Sequence, residues 1–257
     1  MVDPTTALAG RLRAAGCVFA EQEAGLLLAA GRPDEVERLV AQRLSGLPLE
    51  VVLGWAEFCG RRIVVESGVF VPRRRTALLV RTAVRAGAPP RPVVVDLCCG
   101  TGAVGVAVAG EVDAGGLHAA DVDPAAVACA RRNVEPAGGR VHEGDLYGAL
   151  PCDLRGRVDL LLVNAPYVPT RALALLPPEA RVHEPAVALD GGADGLEVQR
   201  RVAADAAGWL APRGRVLLET SDEQADRTLA LLAGAGLVAD VVRDDELAAT
   251  VAVARRA

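Results

Sequence analysis

Asn164-Ala165-Pro166-Tyr167 places an amide, a carbonyl and an aromatic ring directly after the apolar run Leu160-Leu161-Leu162-Val163. The asparagine side-chain oxygen and the Ala165 carbonyl are two acceptors, so together they can hold both hydrogens of an NH2 group. Pro166 biases Ala165 toward extended geometry, which lets that carbonyl point outward, and a tyrosine ring can stack on a planar group. The chemistry this suits is reaction at a planar nitrogen. Its lone pair is delocalised, and positioning is what localises and aims it.

A second group of residues points to a ligand site. Asp96-Leu97-Cys98-Cys99-Gly100-Thr101-Gly102 follows one apolar run and opens a helical segment. Glycines there permit tight turning and close approach of the backbone, and the helix amides face whatever binds. Read literally, Gly100-x-Gly102-x-x-Gly105 with Asp121 about 20 residues on is a dinucleotide fingerprint, which keeps a nicotinamide enzyme open. Asp96 shifts the balance, because nicotinamide cofactors put a pyrophosphate beside this loop and a carboxylate repels it. S-adenosylmethionine presents a cationic amino-acid group and a sulfonium instead, so it is the expected cofactor. In Asp121-Val122-Asp123-Pro124, Pro124 suits the first helical position and Asp123 the cap, leaving Asp121 to accept both ribose hydroxyls. Asp145 can accept the adenine amino group and the Leu146 backbone can read a ring nitrogen; an ordinary turn aspartate explains Asp145 equally well.

These residues need elements to hold them. Strands are expected at 93–97, 116–121, 140–143, 159–164, 214–219, 237–242 and 249–255, with helices near 102–109, 124–134, 196–210 and 222–235. Such alternation implies an α/β doubly wound sheet, parallel at its centre and antiparallel at the edge formed by the last two strands. Ahead of it, residues 5–47 show helical spacing with Asp34 placed as a cap. Residues 51–58 and 62–65 then read as a hairpin, and a helix is expected over 76–86. The boundary falls near residue 75, giving a helical module with a hairpin linker at 1–75 and a catalytic domain at 76–257.

Composition sets the outer bounds. The 257 residues are 51% hydrophobic, enough for a packed core, and the formal net charge is −5. That charge, with 3% aromatics, argues against nucleic acid as a partner. No apolar stretch approaches the roughly 20 residues that cross a bilayer, and the first residues lack the uninterrupted apolar core of a signal peptide, so a cytoplasmic protein with no membrane association is expected. The six cysteines and three histidines show no metal-ligand spacing, and no metal is expected. All 28 cationic residues are arginine, and Asn133 and Asn164 are the two asparagines. Lysine and asparagine codons are AT-rich, so a GC-rich genome explains both scarcities and makes Asn164 the more informative.

The loop from Asp96 resembles motif I of class I methyltransferases, Asp/Glu-x-Gly-x-Gly-x-Gly, with Cys98 in place of the first glycine. The tetrapeptide resembles the Asn-Pro-Pro-Tyr motif of methyltransferases acting on glutamine amides and on adenine amines, with Ala165 in place of the first proline. Over nearly its full length the chain is similar to the glutamine methyltransferases of class 1 peptide chain release factors. Pro48-Leu49-x-x-Val52-Leu53-Gly54, Glu57-Phe58-x-Gly60, Glu184-Pro185-x-x-Ala188-Leu189, Asp194-Gly195-Leu196 and Leu217-Leu218-Glu219 with Gln224 carry the likeness. The resemblance implies a class I, Rossmann-like methyltransferase domain, S-adenosylmethionine held by Asp96, Cys98, Gly100, Thr101, Gly102, Asp121, Val122, Asp145, Leu146 and Asn164, and an acceptor held by Asn164 to Tyr167. It further implies a release factor glutamine as acceptor, recruited by the helical module to a monomer. Where that family has Pro-Arg-Pro-Glu-Thr-Glu, this chain has Pro72-Arg73-Arg74-Arg75-Thr76-Ala77. A divergent branch acting on another protein or on a small amide or amine is therefore the first alternative, followed by adenine methylation and by a non-catalytic cofactor-binding scaffold. Arg74 and Arg75 are expected to form a solvated charge cluster.

Overall fold

The computed structural model describes residues 3–256. Its first part is helical: α1 (Pro4–Ala14), α2 (Ala20–Leu28), α3 (Pro33–Leu44) and the short α4 (Leu49–Leu53) close over their own apolar cluster around Leu12, Leu27 and Val40. Asp3 caps α1 by accepting the Thr6 N–H at 3.1 Å, a start that the helical spacing from residue 5 leaves unmarked. The expected cap at Asp34 is displaced: Arg32 occupies the N-cap of α3, Pro33 the first turn, and Asp34 lies inside the helix. The hairpin is also shorter than expected. Residues 49–53 form a helical turn that Gly54 ends in left-handed conformation at φ 77°, leaving β1 (Trp55–Phe58) and β2 (Arg61–Val64) as the strands.

The remainder follows the expected alternation: α5 (Ala77–Arg85), β3 (Val93–Leu97), α6 (Ala103–Glu111), β4 (Gly116–Asp121), α7 (Pro124–Val134), β5 (Arg140–Glu143), β6 (Val158–Val163), α8 (Pro178–His183), α9 (Glu197–Trp209), β7 (Leu210–Thr220), α10 (Ala225–Gly234), β8 (Leu237–Asp244) and β9 (Ala249–Arg256). The seven strands order as β5-β4-β3-β6-β7-β9-β8, with β7, β9 and β8 joined antiparallel and the others parallel. The central strands β3 and β6 are covered on both faces, which is why they read as continuous apolar runs. One apolar cluster holds α5 and α6 against the sheet, and a second holds α9 and α10 against its other side. The strand order reverses between β3 and β6, so their carboxyl ends open into the crevice where ligands bind in such sheets.

A single amide ties the hairpin to this crevice. Asn133 Oδ1 accepts the Val64 N–H at 2.8 Å, and its Nδ2 donates to Val64 O at 3.0 Å and to Thr101 O, in the glycine loop, at 2.9 Å. The helical module has its own anchor, Arg43, whose buried guanidinium donates to Glu23 at 2.7 Å and to Glu179 of α8 at 2.6 Å. Cross-strand pairing also brings His118 and His142 together, Nδ1 to Nε2 at 3.0 Å, a juxtaposition that their separation along the chain conceals.

Candidate active site

A cavity of about 440 Å³ opens at the carboxyl ends of β3, β4 and β6, and twelve of the thirteen expected site residues line it. Gly102 is the exception. Its α-carbon faces Val134 of α7, where an added side chain would collide, so a glycine is what lets the loop turn there. On one side of the cavity, the glycine loop leaves β3. Cys98 adopts φ 55°, Gly100 φ 54° and Gly102 φ 76°, so three alternate positions take the left-handed conformation. Cys98 thus holds the geometry that a glycine would adopt without strain, at an expected cost of about 1–2 kcal/mol. Burial drives the thiols of Cys98 and Cys99 far above their ordinary range, which keeps them protonated and poor nucleophiles.

The carboxylates differ in role. Asp96, 1% exposed, accepts the Gly105 N–H at 2.8 Å; burial raises its pKa to about 8, with the nearby Asp121 adding to the rise. Asp121 accepts the Gly100 N–H through Oδ2 at 2.8 Å and the Asp123 N–H through Oδ1 at 3.0 Å, so it also shapes the loop it faces. Asp123 caps α7 as expected, accepting the Ala125 N–H at 2.9 Å. Asp145 is ion-paired with Arg201 at the rim, a partner that no motif supplies.

On the other side, the tetrapeptide leaves β6. Ala165 and Pro166 are buried, whereas Asn164 and Tyr167 are partly exposed to the cavity. Asn164 Nδ2 donates to the Thr76 hydroxyl at 3.5 Å, and no protein group among the described residues donates to its Oδ1. The loop is held from behind by Gln224, which donates to Tyr167 O at 3.0 Å and to Asp194 O at 3.2 Å. The segment over 189–192 pairs with Val168 and Thr170, and the backbone of Gly195, at φ 78°, packs so closely on Tyr167 O that a side chain there would collide.

The arginines after Pro72 are not simply solvated. Arg73 donates two 2.6 Å hydrogen bonds to Glu184, whose Oε1 also accepts the Val71 N–H at 3.2 Å. Arg75 lies over the Tyr167 ring at 5.7 Å and donates to Glu219 at 3.4 Å. The expected solvated cluster is corrected at Arg75, because Glu219, 144 positions away, meets it in space. Tyr167 is pushed up to about 12 by burial and by Glu219, so its hydroxyl stays protonated.

The pocket suits a nucleoside bearing a cationic group. Asp96 has no counter-ion among the described residues, Asp121 keeps unused lone pairs on both oxygens, and the left-handed loop brings bare backbone to the cavity wall. Among the described residues no group of three or more His, Cys, Asp or Glu could hold a metal ion, and no helix is long and apolar enough to cross a membrane.

Comparison with known proteins agrees with this geometry. The family profile described as Methyltransferase small domain matches residues 61–184. The release factor glutamine methyltransferase of Geobacter sulfurreducens is 38% identical over 200 residues, which cover 77% of this chain and 69% of the relative. That of Streptomyces coelicolor is 40% identical over 189 residues, covering 72% and 67%. A 4-amino-L-phenylalanine/4-methylamino-L-phenylalanine methyltransferase of Streptomyces pristinaespiralis is 37% identical over 232 residues, covering 88% and 78%. Among solved structures, a ribosomal protein L11 methylase from Lactobacillus delbrueckii subsp. bulgaricus superposes with a TM-score of 0.55 at 15% identity, over 76% of this chain and 84% of that one, a likeness of fold alone. The chain belongs to the release factor glutamine methyltransferase family and is a methyltransferase whose methyl donor is S-adenosylmethionine.

Proposed function

We propose that this enzyme methylates the side-chain amide nitrogen of a glutamine in a peptide chain release factor. The observation that carries the reading is the unclaimed Asn164 Oδ1 at the cavity wall, opposite the carboxylates of the glycine loop. The bound cofactor supplies an electrophilic methyl group on a sulfonium. Asn164 Oδ1 and the Ala165 carbonyl accept the two hydrogens of the glutamine NH2, which localises the nitrogen lone pair, and Tyr167 stacks on the amide plane. Asp96, Cys98, Gly100 and Thr101 hold the amino-acid end of the cofactor, with Gly102 shaping the turn beneath them. Asp121 and Val122 hold its ribose, and Asp145 and Leu146 its base. No general base is required, because the proton leaves after transfer.

The helical module over 1–75 is proposed to recruit the protein substrate. Val18 and Phe19 stand exposed at the turn between α1 and α2, Phe19 at 66%, an apolar tip suited to a partner surface. Val187, 49% exposed, adds an apolar side chain to the cavity wall.

A second reading has its own support. The Streptomyces pristinaespiralis relative, named for an aromatic amine, aligns over more of this chain than the two named for release factors, and an aryl NH2 is also planar with a delocalised lone pair. The deciding experiment incubates the enzyme with methyl-labelled S-adenosylmethionine and either a class 1 release factor or 4-amino-L-phenylalanine, and locates the label by mass spectrometry. Label on a release factor glutamine supports the first reading. Label on the amino acid alone overturns it in favour of the second.

Asp96 gives the site a pH signature. Its carboxyl is protonated below about 8 in the free protein, whereas a cationic ligand favours the ionised form. Cofactor affinity should therefore rise with pH up to about 8 and then level off, with a proton released on binding at neutral pH. Calorimetry in buffers of different ionisation enthalpy measures that proton. Asp96→Asn should lack it, and equal proton release in both proteins would reject the assignment.

A further inference from the structure

A second depression in the surface shares no lining residue with the active-site cavity. It is a groove of about 530 Å³ between α5 and the antiparallel end of the sheet. Five arginines line it, Arg81, Arg85, Arg215, Arg243 and Arg255, against two acids, Asp240 and Asp244. The whole chain carries a formal net charge of −5, so this surface runs against the overall balance.

Strand register explains the groove. Val238 of β8 stands opposite Arg255 of β9, and Val242 opposite Val251, which places both valines on the face that α5 covers. Their neighbours Leu237 and Ala239 point the other way, into the cluster beneath α10. Helix α5 packs over Leu217 and Val251 but leaves the outer strand open, with Val238 49% and Val242 37% exposed. Beside them Val253 is half-buried, so the floor is aliphatic.

The arginines above that floor fall into two groups. Arg81 donates to Asp244 at 2.5 Å, and Arg243 to Asp222 at 2.6 Å. Arg85, Arg215 and Arg255 make no ion pair among the described residues, and neither does Asp240, whose Oδ1 accepts the Val241 N–H at 2.7 Å. Arg255 does donate to Arg256 O at 3.2 Å. Arg215 and Arg255 stand directly opposite each other on β7 and β9, an arrangement in which like charges repel. Arg85, in the last turn of α5, brings a third cation to the same groove. A bound anion relieves that repulsion, and the planar fork of a guanidinium matches a carboxylate.

We propose that this groove docks an acidic segment of a partner protein, with its carboxylates on Arg85, Arg215 and Arg255 and its apolar side chains on Val238, Val242 and Val253. The floor decides between anionic partners. A single-stranded nucleic acid stacks its bases on aromatic side chains, and none lines this groove. A small inorganic anion would engage the arginines and leave the exposed valines uncovered. The inference stands apart from the identity of the methyl acceptor, because no residue assigned to that reaction takes part.

Fluorescence anisotropy with the full-length enzyme tests it, the probe being a dye-labelled peptide of alternating glutamate and leucine. The peptide should bind, and its affinity should fall as salt is raised. Its counterpart with glutamine for glutamate should bind at least tenfold more weakly. Arg215→Glu combined with Arg255→Glu should cost at least tenfold in affinity, and Val238→Asp should weaken binding as well. Arg131→Glu, on the exposed surface of α7, should change nothing. Binding of S-adenosylmethionine, read by calorimetry, should be retained in every variant, which separates lost docking from lost fold. If the paired substitution does not fold, Arg85→Glu and Arg255→Gln, both at exposed positions, still decide. A glutamate peptide that fails to bind, or that binds regardless of these arginines, overturns the inference. So does an oligouridylate that displaces the peptide and loses affinity in the same variants, which would make the groove a nucleic-acid site.

Discussion

Asn164→Ala is expected to lower kcat by about 10²- to 10³-fold, the scale on which removal of one preorganised polar contact acts in other active sites. The methyl acceptor proposed for this enzyme is a poor nucleophile, and the enzyme's contribution is to hold its NH2 group by two acceptors at the end of a rigid strand. Alanine removes one of the two and frees the nitrogen to rotate. Much of the rate advantage of an oriented displacement resides in that restriction. The ground-state complex should suffer less, because most of the contacts assigned to the cofactor come from the glycine loop and the ends of β4 and β5. Single-turnover kinetics with saturating cofactor measure the effect, with calorimetry alongside. A kcat within about threefold of wild type would remove Asn164 from the reaction.

The second large effect is expected in binding. Asp121→Ala should weaken S-adenosylmethionine at least tenfold, since hydrogen bonds to a charged group contribute about 1.5–3 kcal/mol each and about 1.4 kcal/mol is a factor of ten. Two causes act together. The ribose loses its acceptor, and the Gly100 N–H, held at 2.8 Å by the same carboxylate, is released, so the glycine loop loses a constraint. Asp121→Asn separates them, because an amide oxygen can still accept from Gly100 while the capacity to accept from two hydroxyls falls. Titration calorimetry reads both variants. Unchanged affinity in Asp121→Ala would withdraw the ribose assignment.

What could be read from the residues alone was whatever rests on local periodicity and short motifs. The glycine loop, the capping Asp123 and the strand ends follow from chemistry that neighbouring residues decide among themselves. The segment over 51–53 failed because two adjacent valines suggest a strand, whereas Pro48 and the left-handed Gly54 impose a single helical turn. Asp34 failed because Pro33 fits the first turn and pushes the helix start back to Arg32. Gly102 belongs to the motif, but that its α-carbon packs on α7 depends on Val134, which lies outside it. Arg75 failed for a different reason. Its partner Glu219 belongs to another strand, and no spacing rule relates positions that only the sheet brings together. The same holds for Arg73 with Glu184 and for Asp145 with Arg201, pairs that no motif or spacing links along the chain.

Both asparagines sit where one side chain must donate and accept at once: Asn133 between Val64 and Thr101, and Asn164 between Thr76 and the cavity. The asparagine codons differ from those of aspartate by one transition, A to G, the direction in which a GC-rich genome drifts. At Asn133 that drift would put a carboxylate against the carbonyl oxygens of Val64 and Thr101, and at Asn164 it would leave nothing to donate to Thr76. A single transition thus supplies a replacement that neither hydrogen-bond pattern accommodates, at the hairpin anchor and at the acceptor site alike.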